Sequence, residues 1–375
     1  MKILVLNCRD IRNPKAGGSE VHLHEIFKRI AKEHEVFLVS SKFSGCKNVE
    51  VIDGIKVFRV GNDYTFSLAA FWCYVKKLRH EHFDVVIDDI TKVPLFTPLY
   101  IKGKPLMAII HGADKAFRGI HGRLLYKELP LPLAIFVHIL DIFTPFIYKN
   151  ITIITASDGL SLREGLISLG FREHLVNAIP MGIDRNLYRP KFSSTNRFLV
   201  VYFGRIKNYK RVDHVVRAFE IVKRKVPEAE LIIAGRGEYK ELYELVQKLG
   251  LSHSVKLTGP TSEEEKIEIL RRAWVLIATS MLEGWGIIVL EANLCGTPCI
   301  AYDVPGYRDS IKNEETGLLV PYGDIEKLAL ATIRVLGDEK LRRKLRRNAL
   351  RWASNFSWDR SAREFMEILQ KKLGN

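Results

Sequence analysis

A chain of 375 residues is longer than one ordinary core, which suggests two domains, and 47% hydrophobic against 27% charged residues argues against a disordered chain. The net charge of +15 suits nucleic acid, an anionic membrane surface or phosphate-bearing ligands, but it is spread as +6 over residues 1–185 and +9 over the rest, so neither half looks like a nucleic-acid grip. Five cysteines, an odd number in a chain this long, argue against a secreted disulfide framework.

Lys2–Asn7 reads as a short buried strand that begins directly after Met1, without a basic, long apolar leader, so the chain is expected in a reducing, cytoplasmic compartment. A polar loop carrying Gly17 and Gly18 follows. Leu23, Ile26, Phe27, Ile30 and Ala31 then recur at helical spacing. Val36–Ser40, Ile55–Val60, Val85–Ile87 and Leu106–Ile110 are the next strand candidates. Phe66–Val75 is an apolar stretch followed by Lys76, Lys77 and Arg79. Leu129–Tyr148 is nearly long enough to span a bilayer, but three prolines, a His and an Asp argue against that. It reads either as a buried helix pair or as a membrane-facing element, with Lys115, Arg118, Arg123 and Lys127 just upstream.

The alternation restarts after Pro190. Strands are expected at Phe198–Phe203, Glu230–Ala234, Val255–Leu257, Val275–Ala278 and Cys299–Ala301, with helices at Val212–Lys225, Lys240–Leu249, Glu263–Ala273 and Ile287–Leu294 between them. Strands alternating with helices mean doubly wound parallel sheets, one in each half, with the boundary near residues 184–197. Lys340–Arg351 holds seven basic residues and no acid, the pattern of a basic amphipathic helix, read first as a solvated face and second as a binding patch.

Two constellations carry chemistry. Gly204 to Arg211 lies where a strand gives way to a helix, the edge at which open α/β sheets bind ligands. Gly204 lets backbone approach a ligand, Arg205 offers a planar fork for phosphate oxygens, and Lys210 adds a mobile point charge; together they suit a diphosphate. In the second, Glu283, Gly284, Trp285, Gly286 and Ile287 open a helix that carries Glu291 two turns on. The free N–H groups of that helix start favour an anion, and the two carboxylates suit sugar or ribose hydroxyls. Glu291 lies among Val289, Leu290, Ala292 and Leu294, where an ionised side chain needs a partner. Ala234–Glu238 carries two glycines but lacks the third of a dinucleotide loop, which disfavours a nicotinamide or flavin enzyme. Gly17 and Gly18 could present backbone N–H groups to a phosphate or acceptor. His111 ends a strand and faces the expected crevice, as either a catalytic or a structural group. His22 and His24 point to different sides of one helix and form no metal pair. Cys295 and Cys299 read as buried, inert thiols rather than metal ligands.

These pieces, in this order, resemble the family 4 retaining glycosyltransferases of the GT-B fold, over essentially the whole chain. The resemblance is strongest in Gly204–Lys210, Glu283–Glu291, Cys295–Cys299 and Gly317–Val320, and Ile179–Asp184 looks like the family's interdomain motif. It implies two Rossmann-like doubly wound domains facing a central cleft: residues 1–185 binding the acceptor, with 356–375 packing back on them, and residues 186–355 binding a nucleotide-sugar donor. It implies that Arg205 and Lys210 hold the diphosphate, that Glu283 and the backbone of Gly284, Trp285, Gly286 and Ile287 bind the donor sugar, and that Glu291 holds the ribose. His111 would sit by the anomeric carbon and Gly18 near the diphosphate and acceptor. No metal or other cofactor is implied, and nucleic acid is not expected as a partner. The acceptor is expected to be lipid-linked or an envelope glycan, which would place the enzyme peripherally on the inner face of the membrane. Met181 stands where many relatives carry Asn, and Trp285 where Phe is commoner. The rival readings are a nucleotide-sugar epimerase on the same fold and a basic nucleic-acid-binding module.

Overall fold

The computed structural model describes residues 1–91, 94–111, 139–140, 142–155, 160–190, 198–281 and 283–374. The chain divides into two compact units, Met1–Gly182 with Trp358–Asn375, and Ile183–Ser357. The first break falls between Gly182 and Ile183.

The first unit is built on eight strands: β1 (Lys2–Asn7), β2 (Glu35–Ser40), β3 (Val49–Ile52), β4 (Ile55–Arg59), β5 (Val85–Ile90), β6 (Leu106–Ile110), β7 (Thr152–Thr155) and β8 (Val176–Ala178). They are ordered β3-β4-β2-β1-β5-β6-β7-β8, and all neighbours run parallel except β3 against β4. That hairpin turns on Asp53 and Gly54, both at positive φ (48° and 85°), as a two-residue turn between twisted strands requires. Its outer strand alternates exposed and covered residues too weakly to stand out in the sequence. Helices α1 (Gly18–Ile30), α2 (Phe66–Cys73), α3 (Thr97–Tyr100) and α4 (Leu160–Ser168) connect the strands. One face of the sheet buries Ile3, Val5, Leu23, Ile26 and Phe27 together with Phe365 and Leu369 of the terminal helix Trp358–Leu373. Phe27 and Phe365 meet edge to face at 5.2 Å, and Ser361 Oγ donates to the carbonyl of Pro180 at 2.7 Å. The last helix is thereby stitched into the first unit's core.

The second unit is a six-stranded, wholly parallel sheet: β9 (Leu199–Phe203), β10 (Glu230–Ala234), β11 (Val255–Gly259), β12 (Val275–Ala278), β13 (Cys299–Tyr302) and β14 (Gly317–Val320), ordered β11-β10-β9-β12-β13-β14. Strand order reverses at β9, which fixes the ligand-binding edge beyond its carboxyl end. The connecting helices are α5 (Val212–Lys225), α6 (Lys240–Lys248), α7 (Glu263–Arg272), α8 (Ile287–Cys295), α9 (Pro305–Ser310), α10 (Ile325–Gly337) and α11 (Glu339–Ala353). β9, β12 and β13 are buried throughout because helices cover both faces, so they read as unbroken apolar runs.

Two further features pack into the second unit's core. Cys295 and Cys299 are free and buried, and burial pushes the Cys295 thiol up to about 12, which keeps it protonated and inert. The basic run forms α11, whose Leu341, Leu345, Ala349 and Ala353 are buried. Arg342 stacks over Trp274 at 3.8 Å, and Lys344 caps the carbonyl of Glu314. Of the segment Leu129–Tyr148, residues 129–138 and 141 lie outside the described residues, as do Lys115, Arg118, Arg123 and Lys127. No helix among the described residues is long and apolar enough to cross a membrane.

Asp88 on β5 is fully buried, accepting hydrogen bonds from Thr97 Oγ1 (2.9 Å) and the Tyr148 hydroxyl. Burial outweighs those bonds and raises its pKa to about 6. A carboxyl raised on folding favours the native state below its unfolded value of 3.8 and loses that contribution as pH rises through about 6. Asp88→Asn should therefore be more stable than wild type at pH 7, by up to about 3 kcal/mol, with the gain vanishing near pH 4. Urea unfolding at the two pH values measures it, and a gain equal at both would contradict the assignment.

Candidate functional site

The sheet edge beyond β9 is shaped by two interlocked loops. The amide of Gly204 donates to the carbonyl of Ala234 (3.1 Å), and that of Ile206 to the carbonyl of Arg236 (2.8 Å). Gly235 sits so close that a Cβ there would lie 1.7 Å from the Gly204 carbonyl oxygen. The glycines of Ala234–Glu238 thus serve to dock that loop on the Gly204 loop, a role their dinucleotide-like spacing does not announce. From the far side, Thr279 Oγ1 donates to the Lys210 carbonyl (2.8 Å) and the Met281 amide to that of Tyr209 (2.7 Å). The backbone carrying Arg205 and Lys210 is therefore fixed from both neighbouring strands.

Within this frame Lys210 and Glu283 meet. Lys210 Nζ lies 2.6 Å from Glu283 Oε2, with side chains only 15% and 20% exposed. The Tyr307 hydroxyl donates to the same oxygen at 3.3 Å. Burial alone would lower the lysine pKa; the facing Glu283, with Tyr209, reverses this and holds it above its ordinary value, so the ammonium stays charged. Arg205 is exposed, its Nη2 2.9 Å from the Tyr209 hydroxyl. Gly286 begins α8 at φ 79°, and a Cβ there would strike the Tyr307 ring at 2.7 Å. Only glycine allows the helix start and Tyr307 to share this corner. Gly284 and Ile287 are half-buried beside it. The Trp285 side chain turns away into the core, 2% exposed and edge-on to Phe356 at 5.4 Å, which leaves its backbone as its means of reaching a ligand. Glu291 is 8% exposed and finds the partner its apolar surroundings demand in Lys266 of α7, 3.0 Å away.

In the first unit, His111 follows β6 with its Nε2 2.7 Å from Asp89 Oδ1 at the end of β5. Burial would lower the imidazole pKa, but Asp89 more than reverses this and raises it. Asp89 also accepts from Asn7 Nδ2 at 2.9 Å. The His22 ring stands edge-on to His111 at 5.1 Å, is fully buried, and is held well below its ordinary pKa by burial and by His111. His24 faces Asp53 instead, so the two histidines of α1 do diverge. Gly17 caps α1, its amide donating to Glu20 Oε2 at 2.7 Å. A Cβ on Gly18 would meet nothing within 4 Å, so the protein's own packing does not require glycine there.

Two family models cover nearly the whole chain: Glycosyltransferase Family 4 matches residues 16–187 and Glycosyl transferases group 1 matches residues 184–352. The chain belongs to glycosyltransferase family 4. Among curated relatives, it is 36% identical over 194 residues to an exopolysaccharide phosphotransferase of Streptomyces coelicolor, a match covering 51% of this chain and 20% of that protein. It is 30% identical over 181 residues to a D-inositol 3-phosphate glycosyltransferase of Salinispora arenicola, covering 46% and 40%. The matches thus span less than half the length of these relatives. Anabaena HepE, solved with UDP and glucose, superposes with a TM-score of 0.78 at 21% identity, covering 99% of this chain and 100% of that one. Its likeness establishes the GT-B fold class, two parallel-sheet α/β domains.

The candidate residues Arg205, Lys210, Glu283 and Glu291 stand in patterns visible in the sequence, whereas Tyr307, Lys266 and Asp89, which hold three of the candidate side chains, belong to no motif that spacing reveals. Gly235→Ala should lower the thermal unfolding midpoint by several degrees, because the Cβ has no room. Gly18→Ala should leave the midpoint unchanged. Equal midpoints for Gly235→Ala and wild type would refute the interlocked-loop account.

Proposed function

We propose that this chain transfers a glycosyl group from a nucleotide-sugar to an acceptor, with retention of anomeric configuration and without a metal or other cofactor. The observation that supports it is the Lys210–Glu283 pair beside the start of α8, on a sheet edge that also carries exposed Arg205 and paired Glu291. In the reaction the bond from the anomeric carbon to the diphosphate breaks, the acceptor oxygen takes its place and its proton is released. Negative charge grows on the departing diphosphate. Arg205 and Lys210, with the N–H groups of Gly284, Trp285, Gly286 and Ile287 at the helix start, answer that charge and supply what a divalent cation would otherwise bring. Glu283, already fixed by Lys210 and Tyr307, accepts donor-sugar hydroxyls, and Glu291 accepts those of the ribose. Within the first unit, His111, paired with Asp89, would stand by the anomeric carbon, and Gly18, where a Cβ would meet nothing within 4 Å, leaves room for acceptor or phosphate.

The acceptor we propose is a lipid-linked or envelope glycan, reached from the cytoplasmic face of an anionic membrane, with no part for nucleic acid. The support is α2 and the turn leading into it, where Tyr64, Leu68 and Trp72, four residues apart, are 93%, 64% and 48% exposed. Lys76 Nζ lies 5.2 Å over the Trp72 ring, and Lys77 and Arg79 are exposed next to it. An aromatic-aliphatic stripe with a basic rim suits an anionic lipid interface. Leu68→Ser with Trp72→Ser should abolish sedimentation with anionic vesicles; binding that persists in the double variant would refute the surface.

Transfer is tested with labelled nucleotide-sugars and extracted acceptors. Arg205→Ala should reduce kcat by about two to three orders of magnitude, as loss of a preorganised charge contact does. A chelator should leave the wild-type rate unchanged, and proton NMR of the product should find the donor's anomeric configuration. Full activity in Arg205→Ala would sink the assignment. Conversion of the nucleotide-sugar without any acceptor would favour an epimerase.

A further inference from the structure

Lys266, which no motif marks, lies between two carboxylates. Its Nζ is 3.0 Å from Glu291 Oε2 and 3.0 Å from Glu263 Oε1. The ammonium also lies 5.3 Å from the centroid of the Tyr188 ring, and the Tyr188 hydroxyl donates to the same Glu263 oxygen. Tyr188 is 5% exposed, and the side chains of Lys266 and Glu291 are 17% and 11% exposed. This is a lysine held at three points and largely out of water, unlike a solvated surface pair. Burial would lower its pKa, but Glu291 and then Glu263 reverse that and raise it, so it remains an ammonium. Buried ion pairs are a poor way to gain stability, since apolar residues of similar volume usually do as well. Apart from the buried Asn293, α8 is apolar around Glu291, with Val289, Leu290, Ala292 and Leu294 all buried. The pair therefore calls for an explanation other than packing.

We propose that Lys266 is a positioning residue for Glu291. By holding Oε2, it fixes the carboxylate rotamer and turns Oε1 toward the vicinal hydroxyls of the donor's ribose. The Tyr188–Glu263 contact in turn holds the lysine. A carboxylate oriented in advance loses less freedom when the diol arrives, and the gain appears as preference for ribose rather than as general affinity. This proposal rests on the donor reading given above.

The test compares wild type, Lys266→Met and Lys266→Arg by calorimetry. The ligands are whichever of UDP, GDP and ADP the wild type binds best and its 2′,3′-dideoxy counterpart. Wild type should prefer the ribo form by about tenfold or more, as a site built for hydroxyls does. Lys266→Met should lose most of that preference while binding the dideoxy form as wild type does, and Lys266→Arg should restore it. Should Lys266→Met not fold, Lys266→Gln, which keeps a donor without the charge, should give the same fall. An unchanged ratio in the variant, or equal weakening of both ligands, overturns the positioning role, the second result marking Lys266 as merely structural. A wild type that binds none of the three diphosphates overturns the donor reading itself, and this proposal with it.

Discussion

A lysine ammonium and a carboxylate 2.6 Å apart, both mostly out of water, set the terms for the rest of the second unit. Each charge would be costly there alone. Together they require backbone stiff enough to hold them, and much of the local architecture supplies that stiffness. Gly235 and Gly237 press one loop onto the Gly204 loop, Thr279 and Met281 hold the other side, and Gly286 clears the corner that Tyr307 fills. The pair is poised rather than spent. Under the proposed function a diphosphate arriving at Lys210 would compete with Glu283 for the ammonium, and the released carboxylate oxygen would accept sugar hydroxyls. Binding and orientation are in this view one exchange of partners.

The same logic recurs. Glu291 is paired with Lys266, and His111 with Asp89. In each case a candidate side chain is paired with a group that arrives from a different element, so the arrangement depends on the sheet and helices rather than on local sequence. His22 extends this in the first unit. Its buried ring lies between His111 and Trp358, at centroid distances of 5.1 Å and 6.0 Å, so the start of the terminal helix packs within one ring of the His111–Asp89 pair.

What the sequence made legible follows from where information is local. Runs such as Phe198–Phe203 and the periodic Val212–Lys225 sit between well-marked breaks, and both elements form almost as read. The hairpin strand Val49–Ile52 is hard to read because its alternation is half exposed, although Asp53–Gly54 is a turn signal. Thr152–Thr155 and Val176–Ala178, strands of only four and three residues, are too short to carry a periodic signal. Candidate site residues were legible through motifs that keep glycines and charges at fixed spacing. Their partners were not, since Lys266 lies 25 positions from Glu291 and Tyr307 24 from Glu283. One partial signal existed: an ionisable Glu291 in an apolar stretch implied a cation, without saying which. The burial of the Trp285 side chain against Phe356 is likewise not announced by the two glycines that flank it.

The central claim is that the Lys210–Glu283 pair is a preformed seat for a diphosphate. The direct measurement is calorimetric binding of UDP, GDP and ADP, with the parent nucleosides as controls, to wild type and Lys210→Met. The account expects one diphosphate to bind wild type and to weaken by about a hundredfold in the variant, the loss expected for a charge-assisted contact out of water, with the matching nucleoside unaffected. Equal diphosphate affinity in the two folded proteins would contradict it.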